Sequence, residues 1–364
     1  MLVRVSGVNT SAAVQRNGPS RLALTAEVQH NGEGLDFWPP TEESVVFERR
    51  LPDGSLRDVE DPRVVYRQAE RLYYVWYTLS GAEGDARCGH AAEGAGDRAG
   101  TLSACLALAT TPDPANASAW VDHGAIFRGA GGYQWTKSGA VIERAGTEAD
   151  PHVMAFGSWN TLTPEWVSPI YMPVAYSADM RRWSVSPTYL LERRATNGTA
   201  GGTRTAYPDG YLVEPGPPPL RLADGNYLML YNGATRCDTA VASYKRCYHL
   251  LWAILDGGDP TVVLARAHES LLDPEMPWEG ADFNASAGVA ATPNVVFVEG
   301  LVPWGKAREQ SHRQIFRAYY GGGDAAVGAL EVIVEVEEHG GSGTLAHASL
   351  LPKAPRRGGN ARAW

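Results

Sequence analysis

Three carboxylates stand at comparable places in the sequence: Asp61 in VEDPRV, Glu214 in YLVEPG and Asp324 in YYGGGDAAVG. Each lies at the entry of an apolar run or at the turn after one, where a charged side chain adds little to core packing. Carboxyl groups paired across a cavity are the minimum apparatus for cleaving a glycosidic bond. One protonates the leaving oxygen, and the other activates water or stabilises the oxocarbenium ion. Aromatic residues gather nearby, among them Trp159, Trp166, Tyr171 and Tyr176. Rings at loop level stack on the apolar C–H faces of sugars, although each of these residues would serve equally as a wedge between packed sheets. Beside Glu60 and Asp61, Arg63 is placed to hold a polar ligand through charge-assisted hydrogen bonds. The alternative there is a solvated turn in which the aspartate caps its own backbone. Asp209 and the Glu279/Asp282 group mark two more entries of the same kind. His123, alone in a strand pattern, reads as a structural hydrogen-bonding residue. The sequence has no GxSxG elbow, no GxxxxGK[ST] loop, no HExxH and no dinucleotide fingerprint.

The elements that must position these residues are short strands in a long repeat. The clearest unit is GPPPLRLADGNYLMLYNGA (Gly216–Ala234), with stiffening prolines, a short apolar run, the turn Asp224-Gly225-Asn226 and a second run, Tyr227–Tyr231. DGN is hairpin chemistry, and the prolines forbid helix. A third run, His249–Leu255, completes it. The same plan recurs in Asp61–Thr78 with Leu106–Thr111, in Ser138–Ser158 with Met172–Trp183, and in Thr292–Gly300 with Phe316–Asp324 and Val327–Val334. The starts at Pro62, Gly139, Pro217 and Pro293 are roughly 77 residues apart, a period that means propeller blades rather than a solenoid when no helical unit intervenes. Four units and the fragment Leu22–Val28 predict an all-β, five-bladed β-propeller. Its first blade is either incomplete or closed by both termini, with Leu330–Glu338 as the C-terminal contribution. Phe37–Leu51 reads as a proline break followed by a short strand. Residues 1–340 form one propeller domain in this reading, and 341–364 a flexible tail that is basic and rich in glycine.

Composition narrows the function further. With 364 residues, a net charge of −9 and no apolar run approaching a membrane span, the chain is expected to bind neither nucleic acid nor membrane. Cys88, Cys105, Cys237 and Cys247 lack the close spacing of a zinc site, so neither metal nor other cofactor is expected. Bridges Cys88–Cys105 and Cys237–Cys247 stand as one possibility, four free thiols as the other. Sequons at Asn9, Asn116, Asn197 and Asn284 lean toward a secretory route, while Met1–Ser20 shows no apolar leader core.

Several short motifs occur together in a definite order: Glu60-Asp61-Pro62-Arg63, Gly139-Ala140-Val141, Gly216-Pro217-Pro218-Pro219, Tyr231-Asn232-Gly233, Tyr319-Tyr320-Gly321 with Asp324, and Asp259-Pro260 with Leu264-Ala265-Arg266 and LDPE at 272–275. From about Leu22 to Val334 the sequence thereby resembles glycoside hydrolase family 130. The resemblance implies a five-bladed propeller acting on β-linked mannosides, as an inverting phosphorylase or as a hydrolase, with a carbohydrate as partner. It implies catalytic positions at Asp61, Asp324, Ser138 and Glu214, and substrate contacts from Glu60, Arg63, Lys137, Asn232, Tyr231 and Tyr320.

The departures from the family pattern carry as much information. The family's general acid is the aspartate of Lys-Asp-Gly, where this chain reads Lys137-Ser138-Gly139. A serine hydroxyl is no proton source at neutral pH, so another carboxylate, with Glu214 and Glu143 nearest by motif position, would have to serve. The family's phosphorylases also hold phosphate with basic residues at places where this chain has Leu212, Asn232 and Phe156-Gly157-Ser158. A dianion is poorly held without such charge. Hydrolysis is therefore expected over phosphorolysis. The alternatives are a sugar-binding propeller without catalysis and a scaffold for protein contact. Part of the family's first blade is also missing from the sequence, as in a truncated chain.

Overall fold

The computed structural model describes residues 1–5, 19–28, 37–50, 54, 56–81, 103–127, 133–160, 171–194, 207–239, 241, 246–284, 289–304 and 313–335. Among them are twenty strands and three single turns of 3-10 helix, at Glu42–Ser44, Ala117–Ala119 and Pro277–Glu279, and no α-helix. The strands form five sheets, which are the blades of a five-bladed β-propeller. Contacts group the chain into two compact units, Met1–Pro169 with Ala175–Pro187, and Ile170–Val174 with Thr188–Ala363.

In the first unit, β1 (Leu2–Val5), β2 (Arg21–Leu24) and β3 (Val45–Phe47) make a three-stranded sheet in that order. β4 (Arg49–Arg50), β5 (Leu56–Arg67), β6 (Leu72–Gly81), β7 (Ser103–Thr111) and β8 (Val121–Ala125) form a five-stranded meander. β6 reads LYYVWYTLSG, an aromatic and β-branched run suited to a sheet buried on both faces. Tyr74, Val75, Trp76 and Tyr77 are all buried. On one face Val75, Tyr77 and Leu79 pack with Leu22, Phe47 and Val59. On the other, Tyr74 and Trp76 pack with Leu106, Leu108, Val141, Met154 and Phe156. The next sheet has the order β12 (Ser184–Glu192), β11 (Tyr171–Ser177), β10 (His152–Asn160), β9 (Tyr133–Ile142).

In the second unit, β13 (Leu212–Pro215) and β14 (Leu220–Arg221) both pair with β15 (Tyr227–Arg236), which continues to β16 (Arg246–Leu255) and β17 (Val263–Arg266). The hairpin turn falls at the expected DGN, with Gly225 at a φ of 91°. The last sheet is β18 (Val296–Pro303), β19 (Arg313–Gly322) and β20 (Ala326–Glu335). Leu228, Leu230, Ile254, Val296, Val298, Phe316 and Val332 fill the space between these two sheets. Gly216 explains why the proline segment begins with glycine. A Cβ there would sit 2.5 Å from the Leu230 carbonyl oxygen and 2.8 Å from Val298 Cγ1, so only glycine admits this approach.

The first blade contains three described strands. Leu330–Glu335 belongs to β20, which pairs with β19 over its whole length, Arg313↔Glu335 to Gly322↔Ala326, and completes the last sheet. Among the described residues β1, β2 and β3 come from the N-terminal segment, and residues 336–338 of the expected C-terminal run lie outside the described residues. Cys237 and Cys247 are bridged across the β15–β16 connection, and Cys105 is also disulfide-bonded. Cys88, Asn9, Asn197 and the 341–364 tail lie outside the described residues.

One irregularity recurs in the first long strand of four sheets. In β5 the register shifts between Glu60 and Arg63, so Asp61 and Pro62 oppose one residue of β6. In β9 Ser138 and Gly139 bulge in the same way against β10. In β18 the shift falls at Glu299, and residues 216–219 separate β13 from β14. Bulges bend a strand and re-aim its side chains, and they are common beside functional sites.

Candidate functional site

The bulge in β5 builds the candidate site of the first unit. Sequence alone placed Glu60 and Asp61 just ahead of a strand; instead β5 runs through them, because Leu56–Glu60 already pairs with β4 and β6. Asp61 adopts a φ of 50° and is 7% exposed, which also removes the solvated-turn alternative. Its Oδ2 accepts a hydrogen bond from Lys137 Nζ at 3.3 Å, and its Oδ1 lies 3.6 Å from Arg4 Nη1. The same Arg4 nitrogen is 3.8 Å from Glu60 Oε1. Burial pushes the Asp61 pKa up, but the charges of Lys137, Arg4 and Arg63 outweigh it and hold the carboxyl below the usual carboxylate range. Arg63 itself is buried, 1% exposed. Asp61 is therefore an ionised acceptor, not a proton donor.

Ser138 follows Lys137 directly, in the β9 bulge, with a φ of 56° and no exposed surface. Glu143, one candidate for the vacant acid role, pairs with Arg67 at 3.1 Å. Five residues along an extended strand span roughly 16 Å, so Glu143 stands at the far end of β9 from Ser138 and is corrected as an acid for a reaction there. The aromatic pair Tyr171 and Tyr189 is stacked at 4.2 Å; Trp166 lies outside the described residues. His123 is hydrogen-bonded to Thr110 Oγ1 at 2.8 Å, as its structural reading anticipates. A separate cavity of about 510 Å³ in this unit is lined by Arg21, Glu42, Glu48, Trp120 and Asp122. Its charges are engaged in Arg21–Glu42 and Arg49–Asp122 pairs.

In the second unit, Glu214 is 1% exposed and sits across from Asn232 in the β13–β15 register. The Asn232 amide is bonded to backbone: Oδ1 accepts from Val298 N at 2.8 Å, and Nδ2 donates to Val298 O at 3.2 Å. The Tyr231 hydroxyl donates to Asp209 Oδ2 at 2.7 Å and accepts from Arg266 Nε at 2.9 Å. Burial and the Asp209 charge push the Tyr231 pKa up, against Arg266. Tyr320 donates to Glu279 Oε1 at 2.7 Å and stacks on Trp278. Burial and the Glu279 charge raise its pKa as well. Asp324, with a φ of 54°, occupies the exposed β19–β20 turn and accepts a hydrogen bond from the Thr292 hydroxyl.

Sequence reasoning missed Arg4 altogether, since no motif marks it and only the pairing of β1 brings it to Asp61. It also missed the ion cluster around Asp209. Arg194 Nε at 2.8 Å and Arg266 Nη2 at 2.5 Å both reach that fully buried carboxylate. Asp209 and the Leu264-Ala265-Arg266 motif were visible separately; nothing in the sequence joined them.

Residues 179–337 match the family model of glycoside hydrolase family 130 described as beta-1,4-mannooligosaccharide phosphorylase. The chain is 24% identical over 293 residues to a 1,2-beta-oligomannan phosphorylase of Thermoanaerobacter sp. (strain X514), covering 78% of this chain and 70% of that protein. Among solved structures, the beta-1,2-mannobiose phosphorylase of Listeria innocua, in complex with beta-1,2-mannobiose, has a TM-score of 0.57 at 20% identity, covering 86% of this chain and 66% of that one. A structure from work on family members that are glycoside hydrolases targeting beta-1,2 mannosidic linkages in Candida mannan has a TM-score of 0.55 at 22% identity, covering 86% and 75%. At such identities the solved structures speak to the fold, and they share the propeller. The family match over Asp179–Glu337, the ordered motifs and the five sheets all agree with the resemblance to glycoside hydrolase family 130.

Proposed function

We propose that this protein acts on β-linked mannosides or related sugars and hydrolyses them in preference to phosphorolysis. The observation that carries the reading is the ionised Asp61 carboxylate, held in a strand bulge by Lys137, beside the buried Ser138. A fixed carboxylate of that kind accepts hydrogen bonds from sugar hydroxyls, with Glu60 beside it on the same strand and the buried Arg63 supplying positive charge behind it. The second unit has carboxylate candidates of its own, the exposed Asp324 and the buried Glu214. Against phosphorolysis stand Leu212, Asn232 and Gly157, none of which carries charge where the family's phosphorylases hold their dianion. The names of the relatives, mannoside phosphorylases and β-1,2-mannoside hydrolases, support the substrate class.

The test is incubation with β-1,2- and β-1,4-linked mannobiose, with and without inorganic phosphate, measuring mannose and mannose 1-phosphate. Free mannose at a rate independent of phosphate is expected. Mannose 1-phosphate as the main product would overturn the preference for hydrolysis. A second reading, a carbohydrate-binding propeller without catalysis, is favoured by Ser138 in the acid's place and Glu143 at the far end of β9. It predicts calorimetric binding of mannobiose with no product.

A further inference from the structure

We propose that Arg4, brought in by the N-terminal strand β1, is a positioning residue of the sugar site: it fixes Asp61 through the carboxylate oxygen that Lys137 does not hold. The proposal rests on the reading of Asp61 as a sugar contact. Arg4 lies outside the motifs through which the family is recognised and outside the matched residues 179–337.

The placement follows from strand geometry. β1 pairs with β2 through Leu2↔Leu24, Val3↔Ala23, Arg4↔Leu22 and Val5↔Arg21, and its start is tied down by Met1 N to Thr25 O at 2.8 Å and Thr25 N to Met1 O at 2.9 Å. Alternate side chains of a strand share a face, so Leu2 and Arg4 point the same way. Leu2 packs on the core cluster that contains Val59, and Arg4 accordingly reaches the next residues of β5, Glu60 and Asp61. Its side chain is 21% exposed there. A guanidinium held in that setting is costly unless paired, and the two carboxylates provide the pairing.

The charged groups facing Asp61 are Arg4 from β1, Lys137 from β9, and Glu60 and Arg63 from its own strand. Three cations thus surround two carboxylates, which keeps Asp61 ionised despite its burial. Lys137 bonds one oxygen of the carboxylate and Arg4 lies 3.6 Å from the other, so two separate strands bring positive charge to it. An ionised carboxylate has about four acceptor sites. Asp61 accepts a hydrogen bond from Lys137, which leaves acceptor capacity on the carboxylate for a sugar hydroxyl.

The experiment uses the full chain as wild type, Arg4→Met, Arg4→Lys and Asp61→Asn. The Asp61 carboxyl is titrated by carbon NMR with labelled aspartate, assigned by its loss in Asp61→Asn. Binding of β-1,2-mannobiose is measured by calorimetry from pH 4 to 8. Arg4→Met is expected to move the Asp61 titration up by about one pH unit or more and to weaken binding on the order of tenfold. Arg4→Lys, which keeps the charge and the fold, is expected to restore the titration and most of the affinity. An unchanged titration in Arg4→Met overturns the proposal, as does a shifted titration with unchanged binding. If the wild type binds no mannoside, the functional reading above fails by itself. In that case the titration still decides whether Arg4 holds Asp61.

Discussion

Asp61 and Ser138 occupy one structural position in successive sheets, 77 residues apart. Each is a non-glycine residue with positive φ, 50° and 56°, at a bulge in the first long strand of its sheet. Lys137, the neighbour of the second, closes on the carboxylate of the first. Left-handed backbone is tolerated best by glycine, asparagine and aspartate. The backbone at 138 therefore suits aspartate at least as well as the serine found there.

Replacing Ser138 by aspartate tests the acid role. General acid catalysis contributes typically 10²–10⁴-fold. Ser138→Asp is expected to raise β-mannobiose hydrolysis on the order of 10²-fold, with Ser138→Asn, equal in shape but unable to donate a carboxyl proton, showing no gain. Equal rates for the two variants would mean that the proton comes from elsewhere, with Glu214 the next residue to substitute.

Phosphate should be a bystander. Leu212 is buried and apolar, and the Asn232 amide is bonded to the Val298 backbone. Turnover measured over a range of inorganic phosphate is expected to stay flat. A saturable rise would reassign the anion-holding role to other basic groups, Arg63 first, with Arg204 in a segment outside the described residues.

Asp61→Asn should cost both binding and stability. The sequence alone suggested that this carboxylate could be neutralised with the fold intact, but it is buried among Lys137, Arg4 and Arg63. Breaking a buried ion pair costs on the order of 3 kcal/mol. The sign of its pH dependence follows from a folded pKa below the ordinary value of about 4. The stabilisation is complete above that pH and is lost as pH falls from there toward the folded value. Urea unfolding at pH 7 and at pH 3 checks this: the gap between wild type and Asp61→Asn should be wide at pH 7 and narrower at pH 3. An equal gap at both would show that charge is not the source.

Tyr231→Phe separates stability from recognition. The hydroxyl joins Asp209 and Arg266 in a buried network, where one lost hydrogen bond costs about 1 kcal/mol. Asp209→Ala, which strips the counter-charge from both Arg194 and Arg266, should cost several times more, roughly 3–5 kcal/mol. Mannobiose affinity of Tyr231→Phe is expected to remain near wild type. A large loss of affinity with unchanged unfolding midpoint would make the tyrosine a sugar contact.

The fold was legible because its signals are local and repeated: the DGN turn, the prolines before apolar runs and the long period each mark one sheet. The placement of Asp61 was read a few residues out of register, because a bulge lets a strand pass through a motif that looks like its entry. Arg4 was invisible, since its partner lies in a different sheet and its own surroundings, LVRVS, are an ordinary strand. The roles of Tyr231 and Tyr320 were obscured in the same way. A tyrosine in a motif looks identical whether its hydroxyl meets a sugar or, as here, Asp209 and Glu279.

The two hydrogen bonds between Asn232 and Val298 have a consequence for motion. β18 begins its sheet, and among the described residues no strand lies on its outward side; the asparagine amide takes that place at Val298, serving donor and acceptor together. The Val298 amide proton is thus released to solvent only when β15 and β18 draw apart. Its deuterium exchange would act as a clock for that separation, slow while the blades stay seated and quickening as they breathe.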